Sequence, residues 1–389
     1  MLRTSSNNRR DRGFALITMA FCIFVLLGFT GLAVDIGHLY IVKNEVQAFA
    51  DAAALAAAQE LDSTTTGTSA ARTDATNTTN RFNFGTTTVP TVLVDFSLPD
   101  ATGANNYTWV SNPNPASGYT MVRVRAAATV PLYFMPAVSA PTTSTVWASA
   151  VAGQIKVTSF KQGVFPFSPF AQTFNLAKTA SNSLCGTPVT NGCVDSMTGL
   201  TVGQQYTLRW PSNPNPSNGN GNTNMCPGDN AAGQTMVDIA NAAGGSERGF
   251  IEDTSASLIA QTIIDDLQSV NRVVGDLVTM TGGAKQSQLD SLQTRINQDQ
   301  NTTAMDSGAY FSSSHNNRRI VACLINDGSL VNGNQYDTIQ MGAFLLLPSA
   351  QYGNGGNQSW CAEYLGPYVQ GGKRRGAGSD GAYIIKLVM

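Results

Sequence analysis

Phe14 to Val34 reads FALITMAFCIFVLLGFTGLAV, 21 consecutive residues without a charge. At about 1.5 Å rise per residue, a helix of this length spans roughly 30 Å, the hydrocarbon thickness of a bilayer. The run is longer than a signal-peptide h-region, which reaches about 15 residues. Arg3, Arg9, Arg10 and Arg12 precede it against the single acid Asp11. By the positive-inside rule, residues 1–13 are expected to stay in the cytoplasm. The stretch therefore predicts a single-pass anchor over 14–34, with the rest of the chain exported.

Outward from the anchor, Asp35 to Leu61 contains no Pro and one Gly, Gly37, and is rich in Ala. Ala is the best helix former, so an exported extension of the same helix is expected over 35–62. Leu39, Val42, Val46, Phe49, Ala53 and Ala56 follow alternating steps of three and four. That spacing makes an apolar seam of about two and a half heptads. Two readings stay open. The seam meets a partner helix, from a second copy or another protein, or it packs on the chain's own globular domain. Asp35, just past the apolar run, reads as a solvated carboxylate at the membrane surface, with pairing to another subunit as the alternative.

These residues carry a resemblance. Arg12-Gly13, the apolar run, Val34-Asp35-Ile36-Gly37, Tyr40, Val46-Gln47 and the string ADAAALAAA over Ala50 to Ala58 follow one another in order. Together they resemble the N-terminal module of TadE/TadG-like Flp (tight adherence) pilus-assembly proteins, closest to the larger TadG-like members. Val130-Pro131-Leu132-Tyr133-Phe134 and Ala148-Ser149-Ala150-Val151-Ala152 are similar to further family patterns. The resemblance implies a bacterial inner-membrane protein that acts through protein–protein contacts and not by catalysis. Its implied partners are the lipid bilayer, other Tad pilus-assembly proteins or pilin, and a second copy of itself. A second resemblance competes: Gly13-Phe14-Ala15-Leu16-Ile17 looks like the cleavage site of type IV prepilins, cut between Gly13 and Phe14. Those pilins carry Glu at the fifth mature position, where this chain has Thr18. A processed, pilin-like fibre subunit is thus an alternative.

Composition narrows the classes. Net charge is −2, so there is no electrostatic case for nucleic acid. Charged residues make up 12%, about half the usual share of a soluble globular domain, which suits an exported β-rich protein. Of six Cys, Cys22 lies in the apolar run. The other five allow two disulfides and one leftover thiol in an oxidising compartment. Cys185 and Cys193 enclose a short loop and are the first pair expected; Cys323 with Cys361 is the second.

The fold class expected is α+β. Strand patterns at Thr91–Phe96, Tyr107–Val110, Tyr119–Val130 and Ser144–Ser159 predict a β-rich domain over 63–159, packed on the long helix. Ser63 to Thr88, rich in Thr, Ser, Ala and Asn, either carries the end of that helix on to about Thr79 or forms a tether. Residues 160–389 read as a mixed α+β domain with long Asn/Gly/Pro loops. Its helices are expected at Ala256–Leu267 and Lys285–Asn297. Arg319–Ile325, Thr338–Leu347 and Ala382–Val388 are continuously apolar and are expected to share one buried sheet. The aromatic segment Gly163 to Phe170 reads as buried lining or as an exposed binding surface.

Signals for chemistry are sparse. There are two His, His38 and His315, no Cys or His set with zinc spacing, no phosphate-binding loop and no G-x-S-x-G. No catalytic residue and no cofactor are expected. Asp229 is the one carboxylate of the loop Asn213 to Gly233, too few for calcium. Asp253, Ser255 and Ser257 fit D-x-S-x-S, the start of the metal-dependent adhesion site of von Willebrand A domains, and would support a metal-dependent surface adhesin. The reading preferred is an N-cap, with Asp253, Thr254 or Ser255 capping the helix Ala256–Leu267.

Overall fold

The computed structural model describes residues 8–83, 85–100, 106–137, 141–172, 183–211, 225–229, 247–251, 255–266, 268, 270–282, 286–332, 335–353, 355 and 358–388. The fold is α+β. Helix α1, Asn8–Ala58, runs unbroken for 51 residues, about 75 Å of helix. Its two halves differ. Phe14, Leu16, Phe24, Leu27 and Phe29 are each more than 60% exposed, whereas Val42, Val46, Ala50, Ala53, Ala54, Ala57 and Ala58 are fully buried. The exposed half is long and apolar enough to cross a membrane.

The buried half lies on a five-stranded sheet. Its strands are β1 (Thr91–Ser97), β2 (Met121–Pro131), β3 (Thr143–Val157), β10 (Tyr368–Gln370) and β11 (Ala382–Val388). The order is β10-β11-β3-β2-β1, antiparallel except for the parallel β10–β11 pair. Val122, Val124, Ala126, Ala128 and Val130 of β2 and Val146, Ala148, Ala150 and Ala152 of β3 face the helix. Alternation in the strands and the Ala ridge of the helix generate one face each. Small side chains on both sides let helix and sheet approach closely.

Helix α1 stops before a second helix, α2, Thr65–Asn77. Residues 63–79 therefore neither extend α1 nor form a tether. Ser63 takes a left-handed φ of 62°, and the Thr64 hydroxyl caps α2 by accepting from Gly67 N at 2.9 Å. A Cβ on Gly67 would lie 2.0 Å from Asp62 Oδ1, so the turn requires glycine.

The last turn of α1 has no basic residue of its own, and its carbonyls need partners. Strand β3 and the C-terminal region supply them. Gln154 Nε2 donates to Ala58 O and Leu61 O at 3.0 and 2.8 Å, and Lys373 N donates to Gln59 O at 3.0 Å. Arg374 pairs with Glu60 at 2.7 Å, and Lys373 bridges Glu60 and Asp74. Cations at a helix C-terminus also complement its dipole.

A second, antiparallel sheet contains β4 (Gln205–Arg209), β5 (Glu247–Ile251), β6 (Leu277–Gly282), β7 (Ile320–Asn332), β8 (Gln335–Leu346) and β9 (Trp360–Gly366). The order is β4-β9-β8-β6-β5, with β7 on the other side of β8. Helices α3 (Ala256–Asp265) and α4 (Gln286–Asn297) cover it. Ile259, Ile263, Leu289, Leu292 and Ile296 meet Phe165, Phe167, Phe250 and Trp360 there. The aromatic segment 164–170 is thus buried lining.

Two expectations are corrected. Ala382–Val388 does not join the sheet of 320–332 and 335–346. It pairs with β3 of the first sheet, Val388 opposite Val151 and Ala382 opposite Val157. Cys361 is bonded to Cys226, 135 positions away, and not to Cys323, which stays a free, fully buried thiol. Burial pushes that thiol's pKa up and keeps it inert. Cys185 and Cys193 are bonded to each other.

Candidate functional site

The site built most completely from distant parts of the chain is the joint between the apolar half of α1 and the end of β2. Asp35 sits one residue past the apolar run, on the helix face turned toward the loop that follows Pro131. It is 1% exposed. Its Oδ1 accepts from Tyr133 N at 2.9 Å, and its Oδ2 accepts from Phe134 N at 3.0 Å and Met135 N at 2.7 Å. Three successive amides around one carboxylate form an anion nest, and each bond is charge-assisted. The same carboxylate covers the start of the short 3₁₀ turn Met135–Ala137. The expectation of a solvated Asp35 is therefore corrected: the charge is buried because backbone donors surround it.

Packing reinforces the joint. A Cβ on Gly31 would lie 2.5 Å from Phe134 Cβ, so only glycine admits the Phe134 side chain against the helix. The Tyr133 ring lies 5.6 Å from the His38 ring. His38 Nε2 donates to Asn83 Oδ1 at 3.1 Å, and Glu45 accepts from Asn83 N. Lys43 and Gln47 donate to the carbonyls of Trp147 and Ser149 on the uncovered edge of β3. Helix α1 between residues 31 and 47 is thus tied to the loop after Pro131, to Asn83 and to β3.

The seam residues have a definite place. Val42, Val46, Phe49 and Ala53 lie inside the core between α1 and the first sheet, Leu39 packs at its margin, and Ala56 is half-buried. The chain's own sheet occupies the surface that a partner helix would need. Gly13 and Phe14 lie within α1, and Phe14 is 71% exposed. Ser255 is the N-cap of α3, its Oγ accepting from Leu258 N at 3.2 Å and lying 2.9 Å from Ser257 Oγ. Asp253 lies outside the described residues. Among the described residues no group of three or more His, Cys, Asp or Glu is placed to hold a metal.

Buried carboxylates in the second body have structural partners. Asp195 accepts from Met197 N, Thr198 N, Gln340 Nε2 and Tyr364 Oη, all at 2.9 Å. Asp299 accepts from Tyr310 Oη at 2.7 Å and Arg319 N at 3.0 Å. Asp229 is fully buried with two donors, Thr207 N at 2.6 Å and Gln172 Nε2 at 3.3 Å. Burial pushes its pKa up to about 7, and the bonds from Thr207 offset only part of that. Asp95, on the outer face of the first sheet, behaves oppositely. Burial acts to raise its pKa, but Arg123, Ser111 and Arg125 outweigh it and hold the carboxyl below its ordinary value.

Sequence reading singled out Asp35 and, separately, the Val130–Phe134 pattern, but did not join them. The available signal was the pair of prolines. Pro131 and Pro136 bracket an uncharged segment whose amides need acceptors that the segment itself does not carry.

Against known proteins, residues 13–60 match the Flp pilus-assembly TadE/G-like family. The match covers the apolar span, Asp35 and the Ala-rich half of α1. No curated protein and no solved structure matches the chain.

Proposed function

We propose that this chain, whose residues 13–60 form a TadE/G-like module, is a non-catalytic, membrane-anchored component of Flp pilus assembly or its associated secretion. The module's family is a structural, assembly component, which supports the coarse role. The observation that carries the finer reading is the division of α1. One half has the length and exposure of a membrane span, and the other half is spent as the spine of the exported body. In this reading residues 14–34 cross the bacterial inner membrane, residues 1–13 are cytoplasmic, and the two sheets stand in the periplasm or beyond it. Arg-flanked insertion sets that topology.

Because the seam is filled from within, contacts with pilin, other Tad proteins or a second copy fall on the outer surfaces of the exported body. Trp147 and Leu93, 53% and 43% exposed on the first sheet, are part of that surface. The module acts as a handle that holds a binding body at a fixed height above the membrane.

Deletion of the chain should remove Flp pili from the cell surface, and the full-length protein should restore them. Unchanged piliation would overturn the assembly role. Intact mass of the protein from isolated membranes separates the anchor from a fibre subunit. A mass that includes Met1, or begins near it, supports a permanent anchor. A mass beginning at Phe14 would place the chain in the fibre as a processed pilin.

A further inference from the structure

We infer that the loop Pro131 to Pro136 is a second membrane-contacting element, a wedge from the exported body that enters the lipid leaflet beside α1. The inference rests on reading 14–34 as the membrane span and adds a lipid contact that the span does not imply.

Position comes first. Phe134 and Met135 share an apolar groove of about 350 Å³ with Phe24, Val25, Gly28, Phe29 and Leu32 of α1. All five helix residues belong to the uncharged run. Phe24 lies eleven residues from Asp35, about 16 Å along the axis. If the run is in the bilayer, a loop that lines one groove with these residues and packs on Gly31 borders the same leaflet.

Backbone chemistry is the second point. Lipid supplies no hydrogen-bond partner, so irregular backbone enters a membrane only when its polar groups are satisfied by protein. Here every amide of the loop is accounted for. Pro131 and Pro136 have no N–H. Leu132 N donates to Thr142 O at 2.9 Å. Tyr133, Phe134 and Met135 donate to Asp35. Asp35 thus does for this loop what water does for an ordinary exposed turn.

Side chains give the third point. Tyr133 and Phe134 are 62% and 50% exposed, and the loop carries no charge. Exposed aromatics with one polar tip suit the headgroup boundary. The groove's occupant is an acyl chain of that leaflet, continuous with the lipid around Phe24 and Phe29.

The test uses full-length protein in phosphatidylcholine–phosphatidylglycerol vesicles, in a Cys22→Ser background with both disulfides kept. Nitroxide labels are placed singly through Tyr133→Cys, Phe134→Cys, Leu27→Cys and Trp147→Cys. Accessibility to oxygen, which partitions into lipid, is compared with accessibility to a water-soluble nickel chelate. The ratio at 133 and 134 should exceed that at 147 several-fold and indicate a shallower depth than at 27. Adding Asp35→Ala should release the loop and lower the ratio at 133 toward that at 147. A nickel-accessible label at both 133 and 134, with 27 still in lipid, overturns the wedge and spares the span. A label at 27 that nickel also reaches overturns both. Low accessibility to both reagents at 133 and 134 would mean that a second copy covers the loop, and it overturns the lipid assignment.

Discussion

The two sheets reach the same end, a dry core, by opposite means. Around α1 the core is built from Ala and Val on regular elements, and among the described residues it contains no disulfide. Around β7–β9 large aromatic rings such as Phe167, Phe250, Phe344, Tyr364 and Trp360 join the aliphatic side chains, irregular segments such as 164–170 pack into the core, and there are two disulfides and buried Asp195, Asp299, Asn326 and Arg319. Where helix and strand already pair their own backbone, side chains can be small and need only fit. Where the backbone is irregular, polar side chains must serve it. Asn326 Nδ2 bonds Ser168 O and Pro169 O at 2.9 and 3.1 Å, and the Arg319 guanidinium bonds the carbonyls of Leu346, Asn301 and Ala304. The general rule is that every buried backbone group must be paired by something.

This contrast can be broken most directly at the long disulfide. Cys226→Ser with Cys361→Ser opens a loop closed over 135 positions, and loop-closure entropy puts the loss near 5 kcal/mol. Hydrogen exchange should speed up across β4, β7, β8 and β9 and stay slow in α1 and β2. Equal loosening of both sheets would show that they unfold as one unit. The converse change is Phe49→Ala, which empties a buried site in the Ala/Val core at a cost of about 3–5 kcal/mol. Limited proteolysis should then cut between α1 and β1 first.

A smaller effect is expected from pH. The folded pKa of Asp229, about 7, lies above its unfolded value, near 4. Its contribution is therefore most favourable at and below pH 4, and it is lost as pH rises from about 4 to about 7. Asp229→Asn should flatten that part of the denaturation midpoint-versus-pH curve; an unchanged slope would remove Asp229 as its source. The smallest effect is at the C-terminal end of α1. Lys373 has its pKa raised because Asp74 and Glu60 outweigh partial burial. Its contribution is complete below the ordinary Lys pKa near 10.4 and fades as pH rises through the higher folded value. Lys373→Met should cost at most about 1 kcal/mol at neutral pH, as expected for a partly exposed pair, and that cost should shrink as pH rises through the raised folded value, by the same midpoint measurement.

Legibility followed local periodicity and crossed the divide between the sheets. Strands β1, β2 and β3 could be read from alternation, and α3 and α4 from helical spacing, because local periodicity and burial coincide there. Cys185 and Cys193 are close in sequence, so their pairing was visible as well. Cys226 with Cys361 was not, since no local pattern measures the distance between residues that far apart. The register of β11 against β3 was hidden for the same reason. An apolar strand of AYIIKLV pattern suits either sheet, and only the whole chain's path decides which edge is free.

The uncharged run and the Ala-rich string after it determined, without any coordinates, that one long helix would join an apolar span to a small-residue half. Chain length, hydrophobicity and helix propensity act locally, so they can be read residue by residue. Which surface would cover the seam, which Cys would pair with Cys361, and that Asp35 would close on the amides of Tyr133, Phe134 and Met135 were decided by tertiary structure alone. Each depends on bringing together groups about 100 or more positions apart, and a buried charge is tolerated only where that assembly supplies its donors.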